Sequence, residues 1–348
     1  MTLRDALDTR DNALNFVRLV FAGLVIVSHT WPLGGLGADP HLGDLSLGSF
    51  AVAGFFAISG YLITGSRMRL GSWQFALRRA LRIFPGFWVC LGVVGFVFAP
   101  LTAMANGIRF DPSRAASYVG SNVTTVMLQY GVGTELKTLP EYDVWDGSLW
   151  TLRYEIMCYI LTGLIMCSSW VRQHLARVAG SLCILLPVLN VAFAQAELVG
   201  GVLVFLLQLA AYFAAGSILW SLRDRVRVNS WWLAGSAALL VVLMFCGVAH
   251  LVGALPVALL VLEFGALCPI RWGVDRDLSY GVYIYAWPVQ QMLVLAGVAK
   301  LGPVAFMGAT MACMAPLARL SWTFVERPGL RLVRRRPSVA ALADGVLH

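Results

Sequence analysis

Apolar runs of about 20 residues recur along this chain, and they constrain its fold more than any other feature. The hydrocarbon core of a bilayer offers no hydrogen-bond partners, so the backbone of such a run must bond within itself, as an α-helix does. The composition agrees, because 59% of the residues are hydrophobic and 13% are charged, against about 45–50% and about 25% in soluble domains. Ten such windows lie at about 12–33, 47–66, 79–100, 148–168, 177–195, 199–220, 230–249, 251–270, 278–299 and 302–325. The pattern predicts an all-α, polytopic integral membrane protein of about ten transmembrane helices.

The placement of positive charge predicts how these helices are oriented. If the first residue lies inside, most of the 26 Lys and Arg residues fall in inner segments, as the positive-inside rule requires. Both termini are therefore expected in the cytoplasm, with one sizeable outer loop at about 101–147 and a short basic tail at 326–348. The whole chain, 1–348, is predicted to be a single membrane domain. The net charge of +8 is interpreted as anchoring charge beside the lipid bilayer, not as a nucleic-acid-binding surface.

The first window, NFVRLVFAGLVIVSHTW, carries two polar residues on one helix face. Arg18 and His29 are eleven residues apart, which is three turns plus about 20° and a separation of about 16 Å along the axis. Ionisable groups inside a membrane span are expensive and often mark a pathway or a site. The structural alternatives are an interfacial histidine bonded to a carbonyl and an arginine that snorkels to the headgroups.

The second and third windows carry further candidates. In GFFAISGYLIT, Ser59 and Gly60 fall near the middle of the span, where a small pair favours either close helix packing or the passage of a thin substrate. In FALRRALRIFPGFW, Arg79 and Arg82 are three residues apart and share a helix face. That pair is either a positive-inside cluster or a phosphate clamp at the inner mouth, since two guanidiniums bind phosphate oxygens bidentately.

The fourth window, SLWTLRYEIMCY, places a carboxylate inside the membrane. Glu155 lies about two turns from the outer end, at a depth similar to that of His29, and Tyr159 lies one turn further on the same face. Arg153 is close in sequence but faces away from the carboxylate, so another partner is expected. An unpaired carboxylate at this depth is costly, which favours a functional role for it.

The ninth window, LSYGVYIYAWPVQQ, has an aromatic and polar face made by Tyr283, Trp287 and Gln291 at intervals of four residues. Such a face is either helix packing or part of a site, because aromatic belts lie at interfaces and Trp287 falls near the middle of the span. Arg319 in the tenth window receives no assignment. All seven cysteines fall in apolar windows without metal-ligand spacing, so no metal site is predicted.

Together these stretches resemble acyltransferase family three, the ten-helix bacterial membrane enzymes that acylate, usually acetylate, sugar hydroxyls of surface polysaccharides. The resemblance covers about residues 10–328 and rests on four motifs in order. These are Arg18 with His29, Arg79 with Arg82, the segment WTLRYE, and the aromatic segment SYGVYIYAWP. The chain departs from many relatives at Ile156, where they carry a second acid, and at Ala286, where some carry a histidine.

The resemblance implies transfer of an acyl group, usually acetyl, from cytoplasmic acyl-CoA to a sugar hydroxyl at the bacterial inner (cytoplasmic) membrane. His29 is the expected general base, and Glu155 is expected to orient its imidazole or stabilise it once charged. The expected donor-binding residues are Arg18, Ser59, Gly60, Arg79 and Arg82. The acceptor site or tunnel is expected to include Trp150, Tyr159, Tyr283 and Trp287. Acyl-CoA is expected as a substrate and not as a resident cofactor.

A transporter or a non-catalytic component of polysaccharide export is the alternative interpretation. A transporter also carries charge inside the membrane, but it usually shows repeated halves, and no internal repeat is found here. The sequence leaves open the glycan, the hydroxyl, the acyl chain and the oligomeric state.

Overall fold

The structure, a computed structural model, describes residues 1–9, 12–196, 200–273 and 276–334. These residues are almost wholly helical, with one antiparallel hairpin formed by β1 (His41–Leu42) and β2 (Leu45–Ser46). The helices are α1 (Leu3–Leu7), α2 (Leu14–Gly34), α3 (Leu47–Arg69), α4 (Ser72–Val93), α5 (Ala99–Ala105), α6 (Pro112–Ser121), α7 (Leu152–Ile165), α8 (Ser169–Gln173), α9 (Leu175–Ala196), α10 (Gly201–Ser221), α11 (Ser230–Phe245), α12 (Ala249–Val252), α13 (Ala254–Leu267), α14 (Ser279–Leu295), α15 (Pro303–Ser321) and α16 (Arg327–Arg334). One π-helical turn, Val94–Phe98, continues α4 into α5, and another, Trp322–Glu326, continues α15 into α16. Short 3₁₀ turns occupy Gly147–Thr151 and Val298–Leu301.

Each predicted window contains a helix, and the chain is a multi-pass, all-helical membrane protein. Within the described residues, six helices are long and apolar enough to cross a bilayer: Leu14–Gly34, Leu47–Arg69, Ser72–Ala105, Leu175–Gln195, Gly201–Ser221 and Pro303–Leu332. The apolar helices α11 and α13 are shorter, and α7 and α14 have 14 and 17 residues. Ten crossings and cytoplasmic termini therefore remain predictions. The predicted basic tail beyond residue 334 lies outside the described residues.

Helices α3 and α10 approach each other closely through glycines. A Cβ on Gly60 would lie 2.0 Å from the carbonyl oxygen of Phe213, and a Cβ on Gly216 would lie 2.0 Å from that of Ala57. Neither position can hold a side chain without moving backbone, as is typical of small residues at helix interfaces in membranes. This packing favours the first of the two alternatives for Gly60, close helix packing, and donor binding at this residue stays a prediction.

The segment that leads into α7 is held against α14. The Tyr283 hydroxyl donates to the carbonyl of Ser148 at 2.7 Å and also bonds the hydroxyl of Thr151. One turn later, the Trp287 indole donates to the carbonyl of Val144 at 3.1 Å. Gln291, a further turn along, donates to the same carbonyl at 2.9 Å. The face predicted from the spacing of Tyr283, Trp287 and Gln291 thus docks the end of the long loop.

A second connection, between α2 and α3, is fixed by its hairpin. Helix α2 ends at Gly34 and is capped by Gly35, whose φ of 65° is in the left-handed region that glycine tolerates. The Asp44 carboxylate accepts from the backbone N–H of His250 at 3.0 Å and is bonded to Nδ1 of that ring at 2.6 Å. The backbone N–H of Asp44 donates to the carbonyl of Met244. These contacts hold the connection over the end of α2 that carries His29.

Candidate active site

A polar cavity of about 190 Å³ lies beside the C-terminal part of α2. We call it the His29 cavity, and its polar lining includes Ser28, His29, Asp39, Trp150, Gln208 and Tyr283. These side chains come from α2, the connection after it, the 3₁₀ turn before α7, α10 and α14. Because consecutive residues on a helix diverge by about 100°, Ser28 and His29 face different parts of this wall.

The imidazole of His29 is positioned by an aromatic contact. Its ring meets the Trp287 indole edge to face, with 4.8 Å between centroids, an arrangement that aromatic pairs favour. Nδ1 of His29 is buried and has no hydrogen-bond partner among the described residues. Buried polar atoms are usually satisfied, so one that is not calls for an explanation, and a role in catalysis is one of those available.

Glu155 is bonded elsewhere, which corrects the expected contact with His29. Its Oε1 accepts a hydrogen bond from the Ser59 hydroxyl at 3.1 Å and another from the Tyr159 hydroxyl. The partner anticipated for this carboxylate is thus a pair of hydroxyls, of which Tyr159 lies one turn along the same helix. Arg153 turns to Tyr154, where its guanidinium lies 4.6 Å from the ring centroid.

Glu155 and Arg18 line a second, smaller cavity of about 40 Å³, which we call the connecting cavity. Three residues, Val52, Thr151 and Tyr283, line both this cavity and the His29 cavity. The two spaces are therefore neighbours that share one wall. That wall is where a path from Arg18 towards His29 would pass.

Beyond Arg18 lies a network of buried charges that we call the arginine cluster. Arg18 and Arg82 both pair with Oδ2 of Asp277, Arg82 at 2.6 Å. The other side of the Arg82 guanidinium pairs with Glu326 at 2.6 Å, and Ser321 donates to that carboxylate at 3.1 Å. The network ties α2, α4 and the start of α14 to the π turn after α15.

Asp277, which precedes α14, is held in its ionised form. Burial alone disfavours the carboxylate, but the guanidiniums of Arg18 and Arg82 and hydrogen bonds from Ser279 outweigh it, so the pKa of Asp277 falls to about 2. Neither Asp277 nor Glu326 was predicted from the sequence. The available signal was the position of each acid at the end of an apolar window that carries no other carboxylate.

Arg79 has surroundings different from those of Arg82, although the two were predicted to act as a pair. It lines a mainly apolar groove of about 440 Å³ between α4 and α7, together with Phe84, Tyr159 and Ile160. Its Nε is buried without a hydrogen-bond partner among the described residues, whereas Arg82 is bonded to two carboxylates. Arg82 is thus bonded to protein acids, whereas no ion pair of Arg79 is found among the described residues.

Two further residues complete the placement of the predicted set. Trp150 stands at the His29 cavity and packs edge to face on Phe205, with 5.0 Å between centroids. Arg319, which had no assignment, is exposed on α15.

Comparison with known proteins identifies the family of the chain. The model of acyltransferase family three, described as an acyltransferase domain, matches residues 11–319. An O-acetyl transferase of Shigella phage Sf6 is 28% identical over 91% of this chain and 96% of its own. Nodulation protein 10 of Rhizobium leguminosarum bv. viciae is 28% identical over 94% of this chain and 97% of its own. No solved structure matches the chain significantly. The chain belongs to acyltransferase family three, and it is a membrane O-acyltransferase enzyme.

Proposed function

We propose that this enzyme moves an acyl group, acetyl in the first instance, from cytoplasmic acyl-CoA to a sugar hydroxyl. The sugar belongs to a cell-surface or exported polysaccharide or to its lipid-linked precursor, and the enzyme resides in the bacterial inner membrane. One observation carries the proposal: the groove at Arg79, the connecting cavity and the His29 cavity follow one another. Tyr159 of the groove bonds Glu155 of the connecting cavity, and Tyr283 separates that cavity from His29.

The donor binds along this series. Arg79 receives a phosphate of CoA, because a guanidinium without a protein partner is a strong phosphate ligand. The pantetheine arm then passes Arg18 and Glu155 towards Tyr283. Oε1 of Glu155 is occupied by Ser59 and Tyr159, which leaves Oε2 to accept an amide N–H of the arm.

The transfer takes place in the His29 cavity. His29 removes the proton of the acceptor hydroxyl as its oxygen attacks the thioester carbonyl carbon. The carbon–sulfur bond breaks, the imidazolium returns the proton to the departing thiolate, and the products are an ester and CoA. Trp287 keeps the imidazole in place throughout. A direct transfer is preferred because the hydroxyl of Ser28, which is adjacent in sequence, is bonded to Asp39 and not to His29.

The test uses purified protein in sealed proteoliposomes, with radiolabelled acetyl-CoA on one side and a panel of methyl hexopyranosides on the other. Ester formed across the membrane supports the proposal, and His29→Ala should abolish it while free CoA still binds. Glycoside that accumulates unmodified inside would support a transporter. Neither ester nor accumulation would favour a non-catalytic component of polysaccharide export.

A further inference from the structure

Asp39 places a carboxylate in the His29 cavity that no sequence motif indicated. It belongs to the connection between α2 and α3, and its side chain is half-buried in the cavity wall. The Ser28 hydroxyl donates to Oδ1, and the His41 ring is hydrogen-bonded to the backbone carbonyl of Asp39. Ser28 thus holds one oxygen of the carboxylate, and His41 holds the backbone of the same residue.

The second carboxylate oxygen is available. Oδ2 of Asp39 has no hydrogen bond from the described residues, and it is not among the buried polar atoms that lack a partner. Gly48 packs against the Ser28 hydroxyl, since a Cβ there would lie 2.6 Å from the Ser28 hydroxyl oxygen and 3.8 Å from Oδ2, so the missing side chain leaves room for the bond between Ser28 and Asp39. A carboxylate with one oxygen anchored and the other free presents a fixed acceptor for a hydrogen bond.

The charge of the cavity indicates what it can hold. Among the described residues that line it, Asp39 is the one side chain with a formal charge at neutral pH when His29 is neutral, and none is Lys or Arg. Phosphates would find no cation here. The remaining polar lining consists of hydroxyls and an amide, with Trp150 and Tyr283 as aromatic walls, a combination that suits a neutral polyhydroxy compound.

We propose that Asp39 binds the acceptor sugar, by accepting a hydrogen bond from a hydroxyl next to the one that is acylated. The inference rests on the proposed function and deepens it. Two neighbouring hydroxyls of one sugar would then be fixed together, one on Asp39 and the other on His29. Regioselectivity follows, because only the sugar orientation that satisfies both contacts brings a hydroxyl to the imidazole.

The experiment removes each side of this hydrogen bond. The glycoside that the wild-type enzyme acetylates fastest is compared with its monodeoxy analogues, in wild type and in Asp39→Asn, Asp39→Ala and Asp39→Glu. Hydrogen bonds to charged groups are worth about 10- to 100-fold in a rate or affinity ratio. We expect one deoxy analogue to lose that factor in kcat/KM with wild type, and Asp39→Ala to accept it and the parent about equally.

Matched measurements separate binding from folding. The KM for acetyl-CoA should not change in Asp39→Asn, whereas the acceptor KM should rise about tenfold or more. Asp44→Asn, in the same connection between α2 and α3 but bonded to His250, should retain the discrimination between parent and deoxy sugar. Asp39→Glu should recover part of it.

The outcomes distinguish this inference from the proposed function. If wild type acetylates no glycoside of the panel, the sugar acceptor is wrong and the role of Asp39 is wrong with it. If wild type acetylates a glycoside but Asp39→Ala discriminates against every deoxy analogue as wild type does, the proposed function stands and Asp39 has no contact with the acceptor.

Discussion

The arginine cluster and the His29 cavity satisfy their polar groups in opposite ways. In the arginine cluster, Arg82 is 12% exposed and its two carboxylate partners are 13% and 1% exposed, and the charges are matched by short ion pairs. In the His29 cavity, the imidazole Nδ1 has no partner among the described residues, and Asp39 keeps one oxygen unoccupied. The charged groups of the arginine cluster are therefore paired without a ligand, whereas polar atoms of the His29 cavity are left unpaired.

This difference separates architecture from chemistry among residues that look alike in the sequence. A buried ion pair that is fully hydrogen-bonded links the helices that contribute to it, and breaking one partner is costly. A polar group left unpaired in a cavity has no such structural benefit, so its presence is better explained by a substrate. By this reasoning Arg82 holds the helices together, while the unpaired polar atoms of Arg79 and His29 fit the proposed roles of these residues in binding the donor and in transfer.

The largest expected effect is in the His29 cavity. His29→Ala should lower kcat for acetyl transfer by about 10²- to 10⁴-fold, because the hydroxyl loses its general base. Transfer from radiolabelled acetyl-CoA is the measurement, and His174→Ala, at a half-buried histidine stacked on Trp170, is the matched control. A wild-type rate in His29→Ala would show that the histidine is not the general base, and the contrast drawn between the two regions would then be wrong.

The second-largest expected effect is in the arginine cluster. Arg82→Met leaves Glu326 buried without its cation and should lower the free energy of unfolding by about 3–5 kcal/mol. Arg79→Met breaks no ion pair and should change it by about 1 kcal/mol or less, while raising the KM for acetyl-CoA. Thermal unfolding in detergent micelles and donor titration measure the two quantities. Equal loss of stability in both variants would contradict the division between these arginines.

Acid should weaken the arginine cluster. The pKa of Asp277 is about 2 in the folded protein, below its ordinary value near 3.8, so the stabilisation is present above about pH 4 and is lost as the pH falls towards 2. Two pKa units correspond to about 2–3 kcal/mol. Asp277→Asn should remove that part of the acid dependence, which unfolding midpoints between pH 2 and 6 would reveal. An unchanged acid dependence would mean that other carboxylates dominate it.

The sequence predicted the helices well because their signal is local. A helix occupies each apolar window, and the four-residue spacing of Tyr283, Trp287 and Gln291 identified a face that docks one loop. Carboxylate partners were not predictable in this way. Asp277 is remote in sequence from both Arg18 and Arg82, and Asp39 lies in a connection without periodicity, so only the fold brings them together.

Residues with two possible roles were the other limit. The sequence cannot distinguish a glycine that lets a helix pack closely from one that lets a substrate pass, and the contact of Gly60 with the backbone of Phe213 favours close packing. Arg79 and Arg82 share an approximate face, yet α7 packs near Arg79, whereas the segment before α14 and the π turn after α15 supply the acids that pair with Arg82. Neighbouring helices decide these cases, and the spacing within one helix does not report them.

Gly60→Ala offers a smaller effect that tests this role. The new Cβ would lie 2.0 Å from a backbone oxygen of α10, so the helices must separate, at a cost of about 1–3 kcal/mol in unfolding free energy. Gly92→Ala on α4, where a Cβ meets nothing within 4 Å, is the control and should not be destabilised. If Gly60→Ala were as stable as wild type but did not transfer the acyl group, the result would support a passage for the donor at this position.

The smallest expected effect is at the wall that the two cavities share. Tyr283→Phe removes the hydroxyl that bonds Ser148 and Thr151 but keeps the ring between the cavities. The loss should be about 1 kcal/mol in unfolding free energy, the usual net value of a hydrogen bond. Because the ring remains, the KM for acetyl-CoA should stay unchanged, while the loosened turn that carries Trp150 should raise the KM for the acceptor.

The control is Tyr212→Phe, which loses a longer bond of 3.4 Å to Ala249 and should cost less stability. A raised KM for acetyl-CoA in Tyr283→Phe would mean that the Tyr283 hydroxyl contacts the donor. The donor site would then extend to Tyr283, closer to His29 than proposed here.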